Sequence, residues 1–148
     1  MSRNNVYLGI AGVYSHDSAS TLVIDGKIVA AAEEERFIRE KHTGKFPYNS
    51  VNFCLKQAGI TPEDVDCVAY FVSPNTRFLP SAAFNLATAY SRIRYTFPRK
   101  GFRGVIDSVK GAVNVERAII QGYNIAKDYA RTNFQNAHFI PVEHHNAH

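Results

Sequence analysis

The dipeptide Asp25-Gly26 separates two apolar runs, Thr21-Leu22-Val23-Ile24 and Lys27-Ile28-Val29-Ala30-Ala31-Ala32. A two-residue primed turn needs positive φ at its centre, and Asp-Gly provides it. Flanked by runs rich in β-branched residues, it predicts a tight antiparallel hairpin. Upstream, Val6 to Val13 reads as a buried strand. Tyr14 to Ser20 is small and polar and reads as the turn that brings the chain back. The chain therefore opens with three strands, as an antiparallel meander.

The remainder alternates helix and strand. Glu33-Glu34-Glu35-Arg36 ends the third strand, and a mostly polar stretch runs from Phe37 to Lys45 before Phe46-Pro47. Val51, Cys54, Leu55 and Ala58 fall at i, i+3, i+4 and i+7, one face of a helix that Gly59 ends. Thr61-Pro62-Glu63-Asp64 reads as a capped turn. Cys67 to Val72 is a fourth strand, and its lack of alternation predicts burial on both faces. From Ser73 to Asn136 the pattern is helical, broken by Pro74, Pro80 and Pro98 into two or three helices, with Gly101 and Gly104 in a loop between them. Its best amphipathic face is Val115, Ala118, Ile119, Gly122, Ile125, Ala126 and Tyr129. His138 to Val142 is a fifth strand, with Pro141 at its end. The fold class is α/β: a three-stranded antiparallel start followed by parallel strands and helices. The element order resembles the ribonuclease-H-like fold, of which actin, the sugar kinases and the heat-shock chaperone ATPases carry two copies.

Composition removes several classes. The 148 residues suffice for one domain with its own core, at 45% apolar and 20% charged. Two cysteines, Cys54 and Cys67, make neither a disulfide framework nor a tetrathiolate metal site, and read as small buried hydrophobes. No apolar run is long enough to cross a bilayer, and Met1-Ser2-Arg3-Asn4-Asn5 does not read as a secretory signal. The expectation is a cytoplasmic protein without a membrane partner. The net charge of +4 is uneven, with −1 over residues 1–89 and +5 over residues 90–148. The basic cluster Arg92, Arg94, Arg99, Lys100, Arg103 and Lys110 fits either a solvated helical surface or an anionic partner such as RNA.

Three segments carry chemistry. His144 and His148 are i and i+4; on a helix they share a face and can chelate one metal ion, zinc or iron by ligand type. Three histidines in a frayed tail is the alternative. His16-Asp17-Ser18-Ala19-Ser20 lies between the first two strands, where small residues let backbone N–H groups approach an anion. His16 there can act as acid, base or donor, and Asp17 can orient it; a plain polar turn is the alternative. In Glu33-Glu34-Glu35-Arg36, strand alternation would put Glu33 and Glu35 on one side and Glu34 on the other. Arg36 can pair with one of them or hold phosphate, and Lys41, beside His42 in a glycine-containing loop, can bind phosphate or a carbonyl. A solvated edge is the alternative.

Taken in order, Gly12-Val13-Tyr14-Ser15, His16-Asp17-Ser18-Ala19, Asp25-Gly26, Ala31-Ala32-Glu33-Glu34-Glu35-Arg36, Lys41-His42, Phe46-Pro47 and Glu143-His144-His145-Asn146-Ala147-His148 resemble the start of the NodU/CmcH-type O-carbamoyltransferases. The resemblance is weakest from Ser73 to Asn136. It implies a metal-binding domain of duplicated ribonuclease-H-like type, of which residues 1–148 are the first part and residues 73–136 a helical insertion. It also implies a following YrdC-like domain, absent from these residues. By resemblance, the YrdC-like part makes carbamoyl adenylate from ATP and carbamoyl phosphate, and the first domain passes the carbamoyl group to the hydroxyl of a small-molecule acceptor. His144 and His148 match the metal-binding histidines, with a divalent iron-type metal or zinc as cofactor. His16 and Lys41 match active-site positions, and Asp17, Ser18 and Arg36 are substrate-side residues. A downstream acidic metal ligand and the YrdC-like part lie outside these residues, so they are expected not to turn over substrate alone. They would act with the remainder of the enzyme or a complementary subunit. Two other readings stay open: an RNA- or protein-binding module, and an ATPase or sugar-kinase-like member of the fold.

Overall fold

The computed structural model describes residues 5–14, 17–72 and 117–142, together with positions 94, 98, 101, 103, 104, 106, 107, 110, 111 and 114. Strands β1 (Val6–Ala11), β2 (Ala19–Ile24) and β3 (Lys27–Glu33) form the expected antiparallel meander. At its second turn Asp25 has φ 50° and Gly26 φ 77°, the pair of positive angles a primed turn requires. The register closes with Ile24 opposite Lys27, and shifts between Leu22 and Val23. Leu22 faces Ala30 and Val23 faces Ile28, leaving Val29 as the bulged residue.

β1 also pairs in parallel with β4 (Cys67–Tyr70), and β4 in parallel with β5 (His138–Pro141), giving the order β3-β2-β1-β4-β5. Pro141 is the last residue of β5, where its missing N–H costs no ladder bond. The next amide, Val142, donates to the Tyr70 carbonyl at 2.8 Å. The fold is thus α/β on a mixed five-stranded sheet.

Side chains alternate along each strand, so Leu8, Ile10, Leu22, Val68 and Tyr70 share one face, and all are buried. Helix α1 (Glu35–Ile38) is a single turn after β3, so Glu35 and Arg36, read as the end of the third strand, and Phe37 and Ile38, read as the start of a polar stretch, are helical instead. Helix α2 (Tyr48–Ala58) places Val51, Cys54 and Leu55 against the sheet. Gly59 follows at φ 67° and returns its N–H to the carbonyls of Leu55 and Lys56, the left-handed stop its position predicted. Helical backbone over 117–133, here α3, lies over the same sheet face. Gly122 touches the Val13 carbonyl and the Tyr70 hydroxyl, and Ala126 and Ala130 are buried. The rings of Tyr70, Tyr123 and Phe139 pack where α3 meets β4 and β5. Each fully buried Leu or Val, such as Leu8, Leu22, Val51 and Val68, adds about 1.5–3 kcal/mol of transfer free energy. Gly101 and Gly104 were expected in a loop, but both are assigned helical backbone, Gly101 with a positive φ of 62° and Gly104 buried. Residues 73–93 lie outside the described residues.

Candidate functional site

β1, β4 and β5 run in the same direction, so their C-terminal ends reach one edge of the sheet. β3 ends at that edge too, because Glu33 pairs with Ala19 and Ala19 with Ala11. The β1–β2 loop, the segment after β3 and the exit of β5 therefore lie along this one end of the sheet, with β3 and β5 as its outermost strands. Crevices at the C-terminal ends of parallel strands are where open α/β sheets bind ligands.

The β1–β2 loop is held by backbone geometry. Gly12 has φ 77°, and a Cβ there would lie 2.5 Å from the Ser18 Cα, so glycine alone fits. Tyr14 and Asp17 also adopt left-handed angles, both φ 56°. The loop is tied to the turn after α1: the Tyr14 N–H donates to the Gly44 carbonyl at 2.7 Å, and the Ser18 N–H to the Thr43 carbonyl at 3.0 Å. The Ser18 carbonyl in turn accepts the Glu34 N–H at 2.8 Å. Ser18 is fully buried, and its hydroxyl has no hydrogen-bond partner among the described residues. A buried hydroxyl without a partner is costly, and the Tyr70 hydroxyl under α3 is in the same state among the described residues.

The same two segments meet through side chains. His42 Nδ1 and Asp17 Oδ1 are 2.8 Å apart, and His42 has φ 55°. The Asp17 carboxylate, by hydrogen bond and then by charge, raises the His42 imidazole above its ordinary value, and Glu35 and Glu33 add to this. The His42 N–H donates to the Glu35 carboxylate at 3.1 Å, and Lys45 pairs with Glu40 at 2.7 Å, closing the turn. Lys41 is exposed beside His42 in this turn.

Of the residues singled out from sequence, Asp17, Ser18 and Lys41 are brought to this one place. Arg36 is on α1, in an exposed ion pair with Glu33 at 3.7 Å. His16, His144 and His148 lie outside the described residues, as do Arg92, Arg99 and Lys100 of the basic cluster; Arg94, Arg103 and Lys110 are exposed. The donor chemistry of His144 and His148, two imidazoles four residues apart, suits zinc or iron. No cluster of three or more possible ligands occurs among the described residues. No described helix is long and apolar enough to cross a membrane.

Two residues escaped the sequence reading. The acidic run is not a strand edge throughout: Glu35 begins α1, and Glu34 is buried at 2% exposure. Its carboxyl oxygens accept the N–H groups of Asn49 and Ser50 and the Asn49 side-chain amide. No local signal marks this, since the α2 amides it meets lie fifteen and sixteen residues on. His42 was noted beside Lys41 but given no role, since nothing in the sequence links it to Asp17, twenty-five residues away.

A family model described as carbamoyltransferase N-terminus matches residues 6–79. An uncharacterized protein of Synechocystis sp. is 49% identical over 71 residues, 48% of this chain and 11% of that protein. Nodulation protein NolNO of Sinorhizobium fredii is 44% identical over 66 residues, 45% of this chain and 10% of that protein. An uncharacterized 19.2 kDa protein of Rhizobium etli is 40% identical over 60 residues, 40% of this chain and 35% of that protein. The chain thus spans about a tenth of the length of the first two relatives.

Proposed function

The chain belongs to the carbamoyltransferase N-terminus family, and we propose that it forms the opening part of an O-carbamoyltransferase whose site is completed by the remainder of a longer protein. In this reading a small-molecule hydroxyl attacks the carbamoyl carbonyl of carbamoyl adenylate; that intermediate forms when carbamoyl phosphate is hydrolysed to carbamate and phosphate and the carbamate displaces pyrophosphate from ATP. A C–O bond forms to the acceptor, the bond to the adenylate phosphate breaks, and AMP leaves. His16 takes the hydroxyl proton, Lys41 stabilises the charge that develops on the carbonyl oxygen, and Asp17 and Ser18 line the substrate side. His144 and His148 hold a divalent metal, iron or zinc, which when bound polarises a carbonyl as a Lewis acid.

The observation that carries this reading is the shared sheet edge: the β1–β2 loop, the Lys41 turn and the exit of β5 at Val142 all lie there. β1 and β5 flank β4, so their ends are roughly 10 Å apart at ordinary strand spacing, within the span of a bound carbamoyl nucleotide. In the same reading the sheet is the first of two ribonuclease-H-like units.

The test is to incubate the full-length protein with ATP, labelled carbamoyl phosphate and a panel of hydroxylated small molecules. AMP release and a carbamate ester by mass spectrometry are expected, and neither is expected from residues 1–148 alone. Full-length protein that consumes neither ATP nor carbamoyl phosphate would refute the reading. Metal analysis adds a second arm: iron or zinc in the full-length protein should be lost on His144→Ala.

A further inference from the structure

We propose that Asp17 and His42 form a clasp that positions the two loops carrying the reactive groups. The inference rests on the carbamoyl-transfer reading above for what is positioned, but the clasp itself is geometric. Asp17 follows His16 in the chain and His42 follows Lys41. The bond at 2.8 Å therefore joins the direct neighbours of the two residues assigned to the chemistry. Two backbone bonds, Tyr14 to Gly44 and Ser18 to Thr43, bring the same loops together. Both clasp residues are non-glycine residues at left-handed φ, 56° and 55°. Such angles cost energy and persist where the surroundings over-determine them, which is common in functional loops.

The His42 side chain is 77% exposed, so packing does not explain its placement. Its backbone N–H is also engaged, by Glu35, which fixes the turn to α1. What the imidazole adds is one directed, charge-assisted bond across the gap between loops. Acidic groups face it from three elements: Asp17 on the β1–β2 loop, Glu35 on α1 and Glu33 at the end of β3, with Lys41 as its chain neighbour. The imidazolium is thereby favoured, and the clasp tightens as pH falls toward the ordinary histidine range. His42 is in this account a positioning residue: it acts through His16 and Lys41 rather than on substrate.

The experiment uses the full-length protein with ATP and carbamoyl phosphate, reading AMP release with water as the acceptor. His42→Ala should lower kcat by about tenfold or more, because displacement of about 1 Å in a reacting group has effects of that order, while KM for carbamoyl phosphate changes little. His42→Asn places an amide N–H near the Nδ1 position and should recover most of kcat, with a flatter pH profile. A His42→Asn variant as inactive as His42→Ala would overturn the clasp, since it would mean that imidazole basicity is required. Unchanged kcat in His42→Ala would overturn it as well. A second readout is independent of turnover: NMR titration of His42 in histidine-labelled full-length protein should show a raised midpoint that falls on Asp17→Asn. A midpoint unmoved by Asp17→Asn refutes the clasp whether or not the wild type releases AMP. Absent AMP release in the wild type, with the midpoint shift present, counts against the carbamoyl-transfer reading alone.

Discussion

The buried carboxyl group of Glu34 accepts the Ser50 N–H at 2.9 Å, so the residue that follows β3 anchors the first turn of α2. Pro47 stands at the N-cap and offers no side-chain oxygen, and the amides of Asn49 and Ser50 turn to Glu34 instead. The Ser50 hydroxyl then bonds the Ala32 carbonyl and meets Ser20, fixing the helix to β2 and β3.

Removing Glu34 should loosen α2 locally. Glu34→Ala leaves the buried Ser50 N–H without its acceptor and removes the acceptor of the N–H and side-chain amide of exposed Asn49, at a cost of about 2–3 kcal/mol. Amide hydrogen exchange at the start of α2 should quicken by roughly 100-fold, as read by mass spectrometry on a peptide spanning residues 46–58. Glu34→Gln keeps one acceptor and should lose about half as much. Unchanged exchange in the alanine variant would contradict the anchoring role.

Gly122 should tolerate no side chain. A Cβ there would lie 2.6 Å from the Val13 carbonyl and 2.8 Å from the Tyr70 hydroxyl. Gly122→Ala should therefore destabilise by about 1–3 kcal/mol through overpacking, despite the better helix propensity of alanine. Gly111 is also helical, but among the described residues nothing lies within 4 Å of its Cβ position. Gly111→Ala should leave stability unchanged or raise it by up to about 1 kcal/mol, with the thermal midpoint unchanged or higher. A lower midpoint for Gly111→Ala than for Gly122→Ala would reverse the packing argument.

The hairpin and the two helix faces were legible because local rules govern them. Asp25-Gly26 dictates its own angles, and Val51, Cys54 and Leu55 repeat at helical spacing. The parallel pairing of β4 beside β1, and β5 beside β4, was legible only as element order, since register depends on partners sixty and seventy residues apart. Glu34 misled for a physical reason: three consecutive glutamates look solvated, and only the arrival of the α2 amides makes burial of one affordable. Asp17 and Ser18 were legible as a small polar turn, whereas their tie to His42 and Thr43 is tertiary.

The two glycines at φ 77° should separate strain from obstruction. Gly26 has open space at its Cβ position, so Gly26→Ala meets only the left-handed penalty of about 1–2 kcal/mol. Gly12→Ala meets that penalty and a clash with Ser18 and Asp17 backbone atoms at 2.5–2.7 Å. It should displace the loop bearing Asp17 and Ser18 and reduce AMP release by the full-length protein about tenfold or more. Gly26→Ala, at the opposite end of β2, should retain it. Equal activities in the two variants would remove the special status of Gly12.

Cys54 and Cys67 should behave as buried hydrophobes under alkylation. Burial raises both thiols above their ordinary value; the Ser20 hydrogen bond opposes this at Cys54, and Asp66 adds to it at Cys67. Only the thiolate reacts, so iodoacetamide at pH 8 should label either residue at least about tenfold more slowly in the native protein than in urea. Peptide mapping reads the two rates, and rapid native labelling of Cys54 would contradict its packing against Ser20.

The Asp17–His42 bond also predicts a direction for stability with pH. The folded-state value of His42 is raised above the unfolded one. Its contribution is therefore fully present below the unfolded histidine value of about 6.5. It is lost as pH rises through the raised folded value, where the folded state gives up the proton it held more tightly. Comparing wild type with His42→Asn removes the background of other titrating groups. The difference in unfolding free energy should favour the wild type most near pH 6 and shrink toward pH 9, as read from urea midpoints at each pH. Because the His42 side chain is largely exposed, high salt should weaken this pH dependence. A difference that instead grows from pH 6 to pH 9 would mean that the neutral imidazole, not the imidazolium, is the form Asp17 holds.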